Sequence, residues 1–276
     1  MKKILFVTDL YYNAKGRNYY EEDLFLTSAL REDFKLLICN PKDINDFHED
    51  FDLILFRNTG PAVNFHEEYK IFKDKVKTHS LLTYNSFDGH GDMNGKNYLI
   101  ELTNKNMPVI KTINNIKDFH KLPDVENYII KPIDGADSIG LEFLSKKELF
   151  EKVKDDDYNT LIQPFIDFQY EVSFYFIDGK FQYALYAPNK EKRWQLEEYT
   201  PSKEDFDFCH TLLSWNNLSH GIQRVDACRD ENGNLLLVEM EDFNPYLSLL
   251  DISPNLREKF ILSLKESLNN TLCKIQ

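Results

Sequence analysis

The sequence predicts a two-part chain: a parallel α/β sheet over residues 1–87, then an α+β part rich in antiparallel hairpins over residues 88–276. Two observations carry this. Up to Tyr84, apolar runs of five or six residues alternate with segments of helical spacing, as in a sheet covered on both faces. Beyond residue 160, strands follow one another through Asp-Gly and Asn-Gly pairs, which are strong hairpin signals.

Residues 3–8 (KILFVT) open the chain as a strand. A polar loop runs to about Tyr20, and EEDLFLTSALRE follows with helical spacing and acids in its first turn, where the helix dipole favours them. FKLLIC (34–39), DLILF (52–56) and SLLTY (80–84) read as further strands, with a helix over 63–76 between the last two. In such sheets ligands gather at the C-terminal strand ends, where Asp9, Arg57 and Asn85 fall. SFDGHGDMNG (86–95) reads as a polar linker, and KNYLIELTNK as a helix. PVIKT (108–112) and NYIIKP (127–132) read as strands around a short helix. Ser145 and Glu148 form a capping-box signature for the next helix. TLIQPFI is a strand, and Asp178-Gly179 joins two long strands. SPNLREKFILSLKESL closes the chain as an amphipathic helix, with Ser253 as cap and Pro254 at its first position.

Composition narrows the function. A net charge of −13 argues against a nucleic-acid surface, which needs a basic face. Four cysteines without a CxxC pair give no zinc signature and fit reduced thiols. No apolar run reaches membrane-spanning length, and the first apolar run stops at Asp9, too soon for a signal peptide, so a cytoplasmic protein without a membrane partner is expected.

Chemistry concentrates in IQRVDACRDENGNLLLVEMED. With Asn232-Gly233 as a two-residue turn, Asp226 lies opposite Glu239 and Arg224 opposite Glu241, all on one face. The other face is Val225, Ala227, Leu236, Val238 and Met240, a core face. Glu239 and Glu241 repel by roughly 3 kcal/mol at about 5 Å and an effective dielectric near 20. One reading is a solvated face with an Arg–Glu pair worth about 0–1 kcal/mol. The other is a hard cation, Mg²⁺ or Mn²⁺, held by oxygens without thiolate or imidazole. Upstream, NYIIKPIDGADSIG places Lys131 at a strand end before a loop with Gly135, Ser138 and Gly140. Such a loop lets backbone N–H groups approach phosphate, although an ordinary strand–loop–strand has the same pattern. It is not a Walker A loop.

The order Lys96 (NGKNYLIEL), Lys131 (IIKPIDGADSIG), LIQPFIDFQYEVSFYFIDGK and RVD…LLLVEMEDFNP resembles the ATP-grasp superfamily, in particular its glutathione-synthetase-like and D-alanine-ligase-like carboxylate–amine ligases. The resemblance covers about residues 88–250. It implies a two-lobed grasp (88–165 with the phosphate loop, 166–276 with the metal site) behind a Rossmann-like sheet over 1–87. It also implies roles: Lys96, Lys131, Gly135 and Ser138 for the ATP phosphates, and Phe165 and Ile166 with Gln163 for adenine. Glu171 is implied for the ribose, Arg224 for the transferring phosphoryl group, and Asp226, Glu239 and Glu241 for Mg²⁺ or Mn²⁺. Three departures stand out. The third metal position, commonly Asn, is Glu241, as in some cyclo-ligase and peptide-modifying relatives. Tyr170 replaces the usual Gly before Glu171. The glycine pair of the substrate-side loop is missing from 190–201.

The expected reaction is ATP-dependent joining of a carboxylate to an amine, or to a thiol, through an acyl phosphate, with small amino-acid or peptide-like substrates. Arg57 and Arg193 are the candidate cations for a substrate carboxylate, because a guanidinium matches it in a fork; Lys15 and Arg17 are weaker candidates. His90 reads as a polar linker residue, and no Ser-His-Asp or Cys-His set suggests another mechanism. The alternatives are a phosphotransferase that stops at phosphorylation and a non-catalytic nucleotide-binding scaffold. A homodimer is a candidate assembly.

Overall fold

Four short strands, β1 (Lys3–Val7), β2 (Lys35–Cys39), β3 (Leu53–Phe56) and β4 (Thr83–Tyr84), form a parallel sheet in the order β2-β1-β3-β4. This is seen in a computed structural model that describes residues 1–12, 18–47, 51–133, 140–153, 159–192 and 195–273. Alternation along β1 sends Ile4 and Phe6 to one face and Leu5 and Val7 to the other. Helix α1 (Tyr19–Leu30) covers the first face with Leu26 and Leu30. The second is covered by Ile44 of the single-turn helix α2 (Ile44–Phe47) and by Tyr69 and Phe72 of α3 (His66–His79). Strands sandwiched this way must be apolar, as β3 and residues 4–7 of β1 are, whereas Leu37 and Ile38 of the edge strand β2 are exposed. The expected strand 80–84 shrinks to two residues because Ser80, with φ 51°, ends α3 in the left-handed conformation.

After helix α4 (Tyr98–Asn104), the chain builds a small antiparallel sheet, β6-β5-β7, from β5 (Asn127–Pro132), β6 (Glu142–Ser145) and β7 (Thr160–Pro164). Helix α5 (Lys146–Lys152) packs on it through Leu149, against Tyr128, Ile130 and Ile162. The capping box forms as expected: Glu148 N–H donates to Ser145 Oγ, and Ser145 N–H donates to Glu148 Oε2 at 2.8 Å. PVIKT is not a strand. Pro108 has no N–H, and the segment splits its bonds between two sheets. Ile110 N–H donates to the Leu237 carbonyl, and Ile113 exchanges both bonds with Ile162.

The second antiparallel sheet has the order β10-β9-β8-β11-β12. Its strands are β8 (Phe168–Ile177), β9 (Lys180–Ala187), β10 (Glu197–Glu198), β11 (Ile222–Asp230) and β12 (Leu235–Glu241). Asp178 and Gly179, both at positive φ, make the expected two-residue turn between β8 and β9. Val172, Phe174, Val225, Ala227, Leu237 and Met240 line one face, against α4 and helix α6 (Lys203–Asn216). At one end of the other face, Tyr175, Ile177, Tyr183 and Ile222 pack into a core shared with β1, β3, α1 and the C-terminal helix α7 (Pro254–Cys273).

The β11–β12 turn differs from expectation. Asp230 N–H donates to the Asn234 carbonyl at 2.9 Å, so Glu231, Asn232 and Gly233 form a three-residue loop with Gly233 at φ +83°. The cause is local: the Asp230 carboxylate takes the Asn234 N–H at 2.7 Å. This shifts the register by one residue. A bulge then shifts it back, because Asp226 pairs with Glu239 but Ala227 with Leu237, leaving Val238 over. Arg224–Glu241 and Asp226–Glu239 therefore face each other as expected. The core residues of β12 become Leu235, Leu237 and Met240 in place of Leu236 and Val238.

Candidate active site

Three carboxylates meet on the open face of the five-stranded sheet. Asp226, Glu239 and Glu241 each bring one oxygen within 4.8 Å of the others. Arg224 holds two of them: Nε donates to Asp226 Oδ1 at 2.8 Å, and Nη2 donates to Asp226 Oδ2 at 2.7 Å and to Glu241 Oε1 at 2.6 Å. Its Nη1 donates to the Tyr246 carbonyl at 2.8 Å. Ser173, opposite Asp226 on β8, donates to Asp226 Oδ1 at 2.6 Å. Burial opposes the Arg224 charge, but Asp226 and Glu241 outweigh it and hold its pKa well above the ordinary value. Burial also pushes the Glu241 carboxyl up to about 7; Arg224 opposes this, and Asp226 and Asp92 add to it. Glu171 lies two residues before Ser173 on the same face of β8, half-buried.

The segment read as a linker delivers the first lysine. Gly89, Gly91 and Met93 are buried, and the stretch from 89 to 93 is a strap across the end of β12. The buried Asp242 carboxylate accepts from Gly91 N–H and Met93 N–H, both at 2.8 Å, and Asn216 Oδ1 accepts from His90 N–H and Gly91 N–H. A Cβ on Gly91 would lie 2.6 Å from the Met240 carbonyl, so the approach requires glycine. Fastened there, the strap presents Asp92 and Lys96. The Lys96 ammonium contacts Glu239 Oε1 and lies 3.9 Å from Asp92 Oδ2. Lys131, at the end of β5, faces the same region. Burial and the nearby Lys96 lower its pKa to about 8, with Asp92 opposing. His90 is exposed, with Nδ1 3.2 Å from the Trp215 carbonyl.

Lys96, Lys131, Arg224, Asp226, Glu239 and Glu241 are thus gathered around one place. The hinge residues stand apart from it on β7 and just beyond. Gln163 is buried, with Nε2 donating to Thr112 Oγ1 at 2.8 Å, so its amide already ties β7 to the 108–113 segment. Phe165 is 40% exposed, its N–H donates to the Asn127 carbonyl, and its ring meets Phe143 edge-on; Ile166 is half-buried.

Arg57, expected to meet a substrate carboxylate, is instead 1% exposed. Its Nη2 donates to the Pro245 carbonyl at 2.6 Å and lies 3.6 Å from Glu22 Oε1, so its charge is met inside the protein. Arg57 and Arg224 therefore grip the neighbouring carbonyls of Pro245 and Tyr246. Gly135, Ser138 and Arg193, with Lys15 and Arg17, lie outside the described residues.

The reading from sequence missed Asp92, Tyr98, Ser173 and Asp242. Asp92 precedes Lys96 by four residues and Asp242 follows Glu241, but the Gly-rich composition of 86–95 pointed to a linker rather than a docked strap.

No protein-family model matches the sequence, and no curated protein matches it. Solved structures do. D-cycloserine synthetase DcsG superposes with a TM-score of 0.74 at 18% identity, over 96% of this chain and 99% of that one. D-alanine–D-alanine ligase from Bacillus anthracis, complexed with ATP, gives 0.69 at 14% identity, over 100% and 98%. The ATP-grasp ligase PsnB, complexed with a minimal precursor, gives 0.60 at 14% identity, over 98% and 99%. The chain therefore shares the ATP-grasp fold of these structures. Among the described residues, no helix is long and apolar enough to cross a membrane.

Proposed function

We propose that the chain is an ATP-dependent ligase that activates a carboxylate as an acyl phosphate and joins it to an amine. The observation that carries this reading is the set of three carboxylates within 4.8 Å of one another, next to Arg224 and two lysines, in a fold shared with ligases. In this reading Lys96 and Lys131 bind the nucleotide phosphates, with the 134–140 loop. Glu171 takes the ribose hydroxyls, and Gln163, Phe165 and Ile166 frame the base.

The donor set suits a hard divalent cation, being all carboxylate oxygen. Burial is the main cause of the raised pKa of Glu241, and Asp226 and Asp92 add to it against the pull of Arg224. Asp226, Glu239 and Glu241 would hold the cation. Once bound, it neutralises phosphate charge. The chain's own residues do the rest. Arg224, locked by Asp226 and Glu241, presents its guanidinium to the transferring phosphoryl group, where preorganised charge lowers the barrier. A substrate carboxylate oxygen attacks the γ-phosphorus and ADP leaves; the amine nitrogen then attacks the acyl carbon and phosphate leaves. Tyr12, Tyr19 and Tyr246 stand in a row with ring centroids 5.7 and 4.5 Å apart, and the Tyr246 carbonyl accepts from Arg224 Nη1, so the acceptor would lie along this row.

The test is ADP release with Mg²⁺ and ATP across amino acids and dipeptides. The reading requires release that depends on an amine co-substrate. A phosphorylated product that accumulates instead would identify a phosphotransferase. Glu239→Gln should abolish the release while the protein still melts cooperatively; unchanged turnover would remove Glu239 from the cation site.

A further inference from the structure

The Tyr246–Leu247 peptide unit is held on both sides. Its carbonyl oxygen, on Tyr246, accepts from Arg224 Nη1 at 2.8 Å, and its N–H, on Leu247, donates to Glu22 Oε1 at 3.1 Å. A peptide unit is planar, so fixing the N–H also aims the carbonyl. Glu22, on α1, is suited to fix it. Its side chain is fully buried, and its other oxygen, Oε2, accepts from Leu249 N–H at 3.0 Å. The two N–H groups flank Ser248, whose φ of 52° is uncommon for a residue other than glycine, so the chain turns to bring both onto one carboxylate. The preceding peptide is held as well. Arg57 Nη2 donates to the Pro245 carbonyl at 2.6 Å and lies 3.6 Å from Glu22 Oε1. Burial opposes the Glu22 charge, and Arg57 and the two N–H groups favour it. At the other end, Arg224 commits Nε and Nη2 to Asp226 and Glu241, and Nη1 to the Tyr246 carbonyl. That carbonyl therefore sets the tilt of the guanidinium plane relative to the acids.

We propose that Glu22 is a positioning residue for Arg224: through the Tyr246–Leu247 peptide it sets the plane of the guanidinium that meets the transferring phosphoryl group, and Arg57 steadies the peptide before it. The parallel-sheet part of the chain thus takes part in phosphoryl transfer at one remove, through two buried side chains and a backbone segment. The proposal rests on the phosphoryl role of Arg224 put forward above. A preorganised charge acts where charge develops, so loosening Arg224 should weaken the hold on a phosphoryl mimic and spare ADP.

The test is calorimetry on the full chain with Mg²⁺ and ADP, without and with aluminium fluoride, which stands in for the transferring phosphoryl group. The readout is the ratio of the two affinities. Wild type should bind ADP tighter with aluminium fluoride, and Arg224→Met should lose that gain. Glu22→Gln keeps the shape of the side chain but leaves one oxygen for two N–H groups. It should cut the ratio about tenfold, the order of one hydrogen bond to a charged group, with little change for ADP alone. In the Arg224→Met background Glu22→Gln should change the ratio no further, because a residue that acts through Arg224 then has nothing to act on. If Glu22→Gln does not melt cooperatively, Arg57→Lys takes its place; its shorter reach loosens the Pro245 carbonyl and should cut the ratio about threefold. A wild-type ratio in the folded variant, an equal weakening of ADP alone, or a loss that persists without Arg224 would overturn the proposal while the ligase reading stands. If wild type gains nothing from aluminium fluoride, or Arg224→Met keeps the gain, the phosphoryl role of Arg224 fails and the proposal with it.

Discussion

Lys131 shows what burial does to a single charge. Its ammonium is desolvated and repelled by Lys96, which brings its pKa down to about 8. It is charged at pH 7 and loses that charge as the pH rises. ADP affinity should therefore fall between pH 7 and 9, and calorimetry on Lys131→Met should show weaker binding without that decline. Asp23 has the opposite shift. It is buried with Glu22, Arg57 and Asn58, accepting from Thr8 Oγ1 at 2.5 Å and from Asn58 Nδ2 at 3.0 Å. Burial raises its pKa from 3.8 to about 7, against the pull of Arg57. Between those values the folded chain keeps a proton that the unfolded chain has lost. This contribution to stability is complete below pH 3.8 and disappears as pH rises through about 7. Asp23→Asn should accordingly raise the melting temperature relative to wild type more at pH 8 than at pH 5. An equal difference at both would remove Asp23 as the source.

At the scale of elements, the β11–β12 hairpin and the strap work as one unit. The turn adds a residue, the bulge at Val238 takes it up, and the acids reach the same face. Alternation made that face legible, because a period of two is indifferent to the turn as long as the two irregularities cancel. Nothing local announced the bulge: Leu235, Leu236, Leu237 and Val238 are all apolar, so alternation from the expected turn assigned Leu236 and Val238 to the core where the structure buries Leu235 and Leu237. The strap was illegible for a related reason. Gly89 and Gly91 look like flexibility, whereas here they allow backbone to lie on the Asp242 carboxylate and the Met240 carbonyl. Gly91→Ala should push the strap outward, at a cost of about 1–3 kcal/mol as buried N–H bonds to Asp242 weaken. Denaturant unfolding would measure that cost, and the KM for ATP should rise as Lys96 moves. A variant with wild-type stability and KM would mean that the strap tolerates the methyl group.

Across the whole molecule, one core joins the two ends of the chain. Ile4, Phe6, Leu53, Leu55 and Tyr84 of the parallel sheet pack with Phe260, Leu264 and Leu268 of α7 and with Tyr175, Tyr183 and Ile222 of the five-stranded sheet. Asn85 adds polar ties, donating from Nδ2 to the carbonyls of Ile222 and Asp242 at 2.6 and 2.7 Å and accepting from Ile222 N–H. Residues 1–87 expressed alone should therefore show no cooperative thermal transition, because the sheet face that α1 covers only in part would lose α7 and the five-stranded sheet. A well-dispersed amide spectrum from that fragment would contradict this.

The sequence by itself determined the parallel and antiparallel parts, the spacing of Arg224, Asp226, Glu239 and Glu241 on one strand face, and the lysines that precede them. These follow from periodicity and local turn chemistry, which act over a few residues. Tertiary structure alone decided that Arg57 is a buried brace and that Asp92 faces Lys96 beside Glu239. Such contacts join segments far apart in the chain, and they exist because burying the strap on Asp242 and the N-terminal sheet on α7 brings those segments together.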